Sequence, residues 1–249
     1  MTALNFVDEL LGWRTLEQRT VRRLGRPYAP NCADADNCDI ADYIYASRRV
    51  GRILRPGQSM GAPFEALLLN HLFTEVSRLD PNRKWLAQPG RVVSDFAQYA
   101  HLGVLEEQIK TNVVLRTEFG REYAIRPDIA IGVEAATAQP LLHAVVSVKW
   151  SMRSDRVQNV RPEGALLLRH RRGRAPHFVV VTAEPLPSRI AAIAMTTGEV
   201  DAVYHVMFDE MEEAVRQVGT REQKERWLEL VTQGRVRSYA ALPATLTST

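Results

Sequence analysis

The chain has 249 residues, 45% of them hydrophobic and 24% charged, with a formal net charge of +3, which suits one large domain with its own core. No run approaches the roughly 18 consecutive apolar residues of a membrane span, and the opening MTALNFVDELLGW carries acids where a secretory peptide carries Lys or Arg. Two cysteines exclude a disulfide scaffold and point to a reducing cytoplasm.

Helical spacing dominates the first half. Phe6, Leu10 and Trp13 open an amphipathic stretch reaching about Leu24. A second runs from about Asp39 to Leu54 through Ile40, Tyr43, Ile44 and Val50. A third carries Phe64, Leu67, Leu68, His71, Leu72, Val76 and Leu79 on one stripe and stops before Pro81, and Asp95 to Lys110 forms a fourth. The period then changes. Tyr123 to Val133, Leu141 to Trp150 and His177 to Thr182 are short, rich in Val and Ile, and expected as strands. A helix from about Arg156 to Arg171 separates the last two. A further strand, Ala202 to Val206, follows a helix near Pro187 to Met195. Two acidic helices, about Asp209 to Val218 and Arg221 to Gln233, come before a polar tail from Leu242. No repeat or linker divides the chain. The expectation is one α/β domain over 1–249 with a central mixed β-sheet flanked by helices: a helical N-terminal half to about 115, a sheet core over about 120–206 and C-terminal helices over about 208–235.

Charge is unevenly spread. Between Ser147 and Ala175 eight bases face two acids, whereas Phe208 to Glu229 holds seven acids and four bases. A solvated face is the ordinary meaning of a charge run, but a one-sided basic segment also suits a phosphate-lined partner, and this one holds the best chemical motif of the chain. Arg126-Pro127-Asp128 sits in an apolar strand, Ser147-Val148-Lys149-Trp150 ends the next, and Arg161-Pro162-Glu163 lies in the helix beyond. An acid in an apolar strand is costly to bury unless paired or metal-bound, and Lys149 shares a strand face with Ser147. Two carboxylates and a lysine at adjacent strand ends suit metal-assisted phosphodiester hydrolysis, the acids holding Mg²⁺ by oxygen and the lysine orienting or deprotonating the attacking water. Taken alone, a partly buried Asp128–Lys149 ion pair with Glu163 on a solvated helix face explains the same residues. Cys32 and Cys38 lack the companions of a zinc site. His71 and His101 are expected as packing residues, and Trp150 as a floor beneath the site.

Residues 140 to 205, from PLLHAVVSVKWSMRSDRVQNVRPEGALLLRH onward, resemble the CCGG-cutting type II restriction endonucleases, above all the NgoMIV type, within the PD-(D/E)xK superfamily. Collinear similarity covers RPGQSMGAPFEA (55 to 66), QYAHL (98 to 102) and IRPDI (125 to 129). The resemblance implies a restriction-endonuclease-like fold. It also implies Mg²⁺-dependent cleavage of double-stranded DNA with two ions per active site, leaving 5′-phosphates and 5′ CCGG overhangs. Asp128, Lys149 and Glu163 match the active-site acid, lysine and second acid, with Asp128 and Glu163 as metal ligands. Ser147 stands where the wider superfamily has a carboxylate, and Glu65 matches a further acid near the metals. Arg153-Ser154-Asp155-Arg156 matches the CCGG-reading cluster: arginine can bond guanine O6 and N7, and aspartate can accept from cytosine N4. Asp34 and Gln58 align with residues contacting the outer pair, which implies GCCGGC. A Ca²⁺ loop around Asp34 is rejected because Asp39 and Tyr45 stand at its glycine and glutamate positions, while Gln58 also suits a simple turn. A bacterial cytoplasm and a separate protecting methyltransferase follow from the same resemblance. Its relatives are tetramers with a long connection between the two catalytic strands. Here that connection is about ten residues, Gly132 to Leu141, so a homodimer is expected. Another PD-(D/E)xK nuclease, of repair or resolvase type, and a catalytically silent DNA-binding protein are the alternatives.

Overall fold

The computed structural model describes residues 7, 10, 13–14, 38–46, 53–54, 61–88, 90–118, 125–136, 138–152, 160–195 and 198–248. In chain order these give β1 (Trp13–Arg14), α1 (Cys38–Ala46), β2 (Ile53–Leu54), α2 (Gly61–Leu79), β3 (Trp85–Gln88), α3 (Ala100–Thr111), α4 (Val113–Glu118), β4 (Ile129–Val133), β5 (Leu141–Lys149), α5 (Val160–His170), β6 (His177–Thr182), α6 (Pro187–Ala194), β7 (Ala202–His205), α7 (Phe208–Val218), α8 (Arg221–Thr232), β8 (Val236–Ser238) and α9 (Leu242–Thr247). Single 3₁₀ turns occupy Val93–Asp95, Ala97–Tyr99 and Tyr239–Ala241.

Six strands form one mixed sheet in the order β3-β4-β5-β6-β7-β8. The β3/β4 and β4/β5 pairs are antiparallel, and β5 through β8 run parallel. Leu142 to Val148, Phe178 to Thr182 and Ala202 to His205 are buried without alternation, so both faces of the central strands are covered, as parallel pairing through helical crossovers requires. Helix α2 buries Phe64, Leu68, Leu72 and Val76 at every fourth position and lies against β3, β4 and β5. Thr220 and Gln223 close a capping box on α8. One apolar cluster runs from Val7 to Leu246. Among the described residues no helix is long and apolar enough to cross a membrane.

Several boundaries differ from expectation. Trp13–Arg14 pairs in parallel with Ile53–Leu54, so those residues are strand and not the continuation of two helices; a distant pairing partner outweighs local spacing. The helix expected from Asp95 starts at Ala100, because Phe96 is extended (φ −110°, ψ 146°) and Gln98 and Tyr99 bond elsewhere: Gln98 Nε2 donates to Leu142 O (2.8 Å) and Tyr99 Oη to Leu167 O (2.9 Å). Residues 125–128 precede β4 instead of belonging to it. Strands β3 and β8 escape a periodicity search because they are short edges, and β3 interrupts the expected helical half. The expected polar tail is helix α9, which buries Leu242 and Leu246.

Candidate active site

The β4/β5 hairpin builds the centre. Ile129 pairs with Val146 in antiparallel register, which sets Asp128, one residue earlier, beside Ser147 and Val148. Its Oδ2 accepts from Val148 N (2.7 Å), from Lys149 Nζ (2.8 Å) and, at 3.4 Å, from Ser147 Oγ. Asp128 thus lies on the bend feeding β4 and not within the strand, and the apolar residues around it are its supports. Lys149 and Asp128 retain 18% and 33% side-chain exposure: enough shielding to strengthen their attraction, enough opening to meet a ligand. Ser147 is buried beneath them.

Two further acids feel this pair. Glu163, in the first turn of α5, has its carboxyl pushed up to about 7 by burial and then by the Asp128 charge, with Lys149 pulling the other way. Glu65, on α2, is likewise raised by burial and then by Asp128, with Lys149 pulling the other way. Four groups from three parts of the chain therefore share one field. Gly164 lets α5 approach so closely: a Cβ there would meet the Phe178 ring at 2.7 Å and Glu199 O at 3.0 Å. Trp150 is buried and packs edge-on against Phe64, the residue before Glu65, with ring centroids 5.1 Å apart.

Among the described residues no three His, Cys, Asp or Glu side chains form a ready-made metal cage. Mg²⁺ does not need one, because it keeps several waters and takes one or two carboxylates. Hard oxygen donors whose carboxyls are raised by burial and then by the Asp128 charge fit a divalent cation, whose charge would favour their ionised forms.

Arg153, Asp155, Arg156, Asp34 and Gln58 lie outside the described residues. The basic segment is split by the fold. Strands β5 and β6 pair from Ala144↔His177 to Lys149↔Thr182, a length of about 16 Å. The exposed Arg171, Arg172 and Arg174 precede His177 and so sit at the end away from Lys149, with the tip of the β4/β5 hairpin. Gln98 ties this back edge together: its carbonyl accepts from Arg172 N (3.0 Å), its Oε1 from Leu142 N (2.8 Å), and Ala97 N donates to Pro140 O (2.9 Å). The segment is therefore not one phosphate-facing surface, because α5 carries its second half back across the sheet.

His71 does pack, with its Nδ1 bonded to the Tyr239 hydroxyl at 3.0 Å. Sequence reasoning missed Glu184, a fully buried carboxylate beyond the end of β6; an acid in TAEPLP carries no signal without the strand order.

Comparisons with known proteins identify relatives of the chain. The family model "NgoMIV restriction enzyme" matches residues 29–139 and 133–248. The type II restriction enzyme NgoMIV of Neisseria gonorrhoeae is 34% identical over an alignment of 240 residues that covers 83% of each chain. Among solved structures, a PspGI restriction endonuclease–substrate DNA complex is similar at a TM-score of 0.41 and 11% identity, covering 76% of this chain and 60% of that one. The type IIF restriction endonuclease Bse634I with cognate DNA is similar at 0.40 and 16%, covering 64% and 75%.

Proposed function

Because the chain belongs to the NgoMIV restriction enzyme family and is thereby a site-specific deoxyribonuclease, we propose that it hydrolyses double-stranded DNA at GCCGGC, with Asp128, Lys149 and Glu163 as its catalytic set. The observation that carries this is the 2.8 Å contact of Lys149 Nζ with Asp128 Oδ2 at adjoining strand ends, inside the field shared with Glu163 and Glu65.

Asp128 and Glu163 would hold Mg²⁺, with Glu65 close by; the ion, when bound, polarises the phosphate and lowers the pKa of a bound water. Lys149 holds a proton at Nζ and directs it toward the phosphate, where it steadies the charge that builds up as water attacks. Ser147 and the Val148 N–H keep the Asp128 carboxylate aimed as Lys149 turns to substrate. The new bond joins water oxygen to phosphorus and the P–O3′ bond breaks; the proton lost by the attacking water passes to solvent and the leaving O3′ takes one from solvent, giving a 5′-phosphate and a 3′-hydroxyl. Arg153, Asp155 and Arg156 start three residues beyond Trp150 and would read the inner CCGG in the major groove; Asp34 and Gln58 would read the outer pair.

A two-fold site calls for a C2 dimer. The seven residues between Val133 and Leu141 offer little area toward the roughly 1,000 Å² of a stable second interface, and the arginines beside them would face their own copies. A protecting methyltransferase would be a separate protein. The test is incubation with Mg²⁺ and a plasmid carrying one GCCGGC, with ends mapped on a sequencing gel. Cuts leaving 5′ CCGG overhangs are expected; cuts unrelated to CCGG, or tight binding without cutting, would overturn the assignment.

A further inference from the structure

The C-terminal ends of β5, β6 and β7 are aligned, Lys149↔Thr182↔His205, and a buried polar chain runs just past them. Glu184 is fully buried, and its Oε2 accepts from Met152 N at 2.6 Å. Its own N–H donates to Thr182 Oγ1 (3.0 Å), and its carbonyl bonds His205 Nε2 (3.1 Å), whose Nδ1 accepts from Met207 N (3.1 Å). That pattern fixes His205 as the neutral tautomer with its proton on Nε2, in keeping with burial pushing its pKa down to about 4. Arg189 Nη1 lies 4.0 Å from the other carboxylate oxygen of Glu184. Met152 is itself fully buried, so both its side chain and its N–H are held. It stands three residues after Lys149 and one before Arg153.

We propose that Glu184 is a positioning residue for DNA specificity: by fixing the backbone at Met152, it holds the residue before Arg153 at a set place relative to Lys149. The proposal rests on the base-reading role of Arg153, Asp155 and Arg156 given above. A single backbone N–H can be satisfied by water or by a neutral side chain. A buried carboxylate is a costly alternative, but it gives a shorter and stiffer bond, and stiffness matters where a displacement of about 1 Å spoils a bidentate base contact. Glu184 thereby joins Met152, just past β5, to Thr182 at the end of β6 and His205 at the end of β7.

The test uses the full-length protein with Glu184→Leu, which cannot accept the Met152 N–H, and Glu184→Gln, which can. The readout is kcat/KM on a GCCGGC duplex divided by that on a duplex with one inner pair changed. Glu184→Leu should lower this ratio about tenfold or more, the scale of a lost base contact, with affinity for a scrambled duplex unchanged. Glu184→Gln should restore most of the ratio. Equal losses on both duplexes, or an unchanged ratio, would reduce Glu184 to a scaffold residue and overturn the proposal. Should Glu184→Leu fail to fold by circular dichroism, Arg189→Met removes the guanidinium 4.0 Å from the same carboxylate; it should lower the ratio about threefold, and no change there overturns the proposal equally. Arg153→Ala separates the two layers. A ratio lost in Arg153→Ala but intact in the Glu184 variants refutes positioning alone, and a ratio intact in Arg153→Ala refutes base reading and positioning together.

Discussion

Replacing Glu163 by glutamine gives a prediction whose size follows from the site. In the metal-free protein its carboxyl is raised from an ordinary 4.5 to about 7, first by burial and then by Asp128. The folded state holds its proton more tightly than the unfolded chain does, so no penalty exists below about 4.5. The penalty grows as pH rises through that window and is complete above about 7. At about 1.4 kcal/mol per tenfold, the full penalty is on the order of 3 kcal/mol. Glutamine fills the same space without ionising. Without divalent metal, Glu163→Gln should therefore exceed wild type in stability by about 3 kcal/mol at pH 8.5 and by less than about 1 kcal/mol at pH 5. In a chain of this size the larger figure is a Tm rise of roughly 6–12 °C. Thermal denaturation in chelator at the two pH values measures it, and subtracting wild type removes every other titrating group. A variant-minus-wild-type difference that is the same at both pH values would mean that Glu163 is already ionised at pH 5, and the argument from burial and Asp128 would fail. Adding Mg²⁺ should stabilise wild type more at pH 8.5 than at pH 5, and the variant little at either.

The other predictions address separate parts of the molecule. Lys149→Ala or Asp128→Ala should abolish cleavage while leaving cognate binding within about threefold, since both act on the scissile phosphate and not on base edges; single-turnover rates within tenfold of wild type would remove them from the catalytic set. Arg153→Ala should cost about 1–3 kcal/mol of discrimination in gel shifts on CCGG and scrambled duplexes, whereas Arg172→Ala, at the back edge, should change neither affinity more than about twofold. Gly164→Ala should destabilise by about 1–3 kcal/mol through collision with Phe178 and slow cleavage by displacing Glu163, and Phe178→Leu in the same chain should recover part of both; an unchanged Tm would show that α5 can shift freely. Light scattering should find a dimer at micromolar protein, with one-site and two-site plasmids cut at similar rates, and a tetramer mass would show another surface at work.

Long elements with regular burial were legible from the residues alone. The stripe Phe64, Leu68, Leu72 and Val76 and the apolar runs of β5 and β6 needed no tertiary information. What escaped is set by contacts between distant segments. Gln98 is polar and sits in a helical-looking stretch, yet its side chain completes the backbone of β5 at Leu142, and the helix starts only after it, at Ala100. Of the site, Lys149 and Ser147 could be placed on one strand face by period alone. That Asp128 meets them depends on the Ile129↔Val146 register, which the connection length hints at and the sequence does not state. Glu184 was illegible because its partner Met152 lies 32 residues away, just past the end of β5, which neighbours β6 only through the parallel crossover.

The hairpin that joins Asp128 to Lys149 also separates two kinds of change. Its open end holds both groups, and its tip lies about 16 Å away, at the edge where Gln98 and Pro140 close it off. Residues can be gained or lost at that tip without altering the register that seats the carboxylate beside the lysine, because the strand pairs between them absorb the difference. The hairpin therefore keeps the pairing of carboxylate and lysine apart from a tip whose length can change, and under the proposed assembly a longer connection over residues 134–140 would add contacts there without disturbing that pairing. The pairing is also local in sequence, with 21 residues from Asp128 to Lys149, whereas Glu65 joins the group only through the packing of α2 on the sheet.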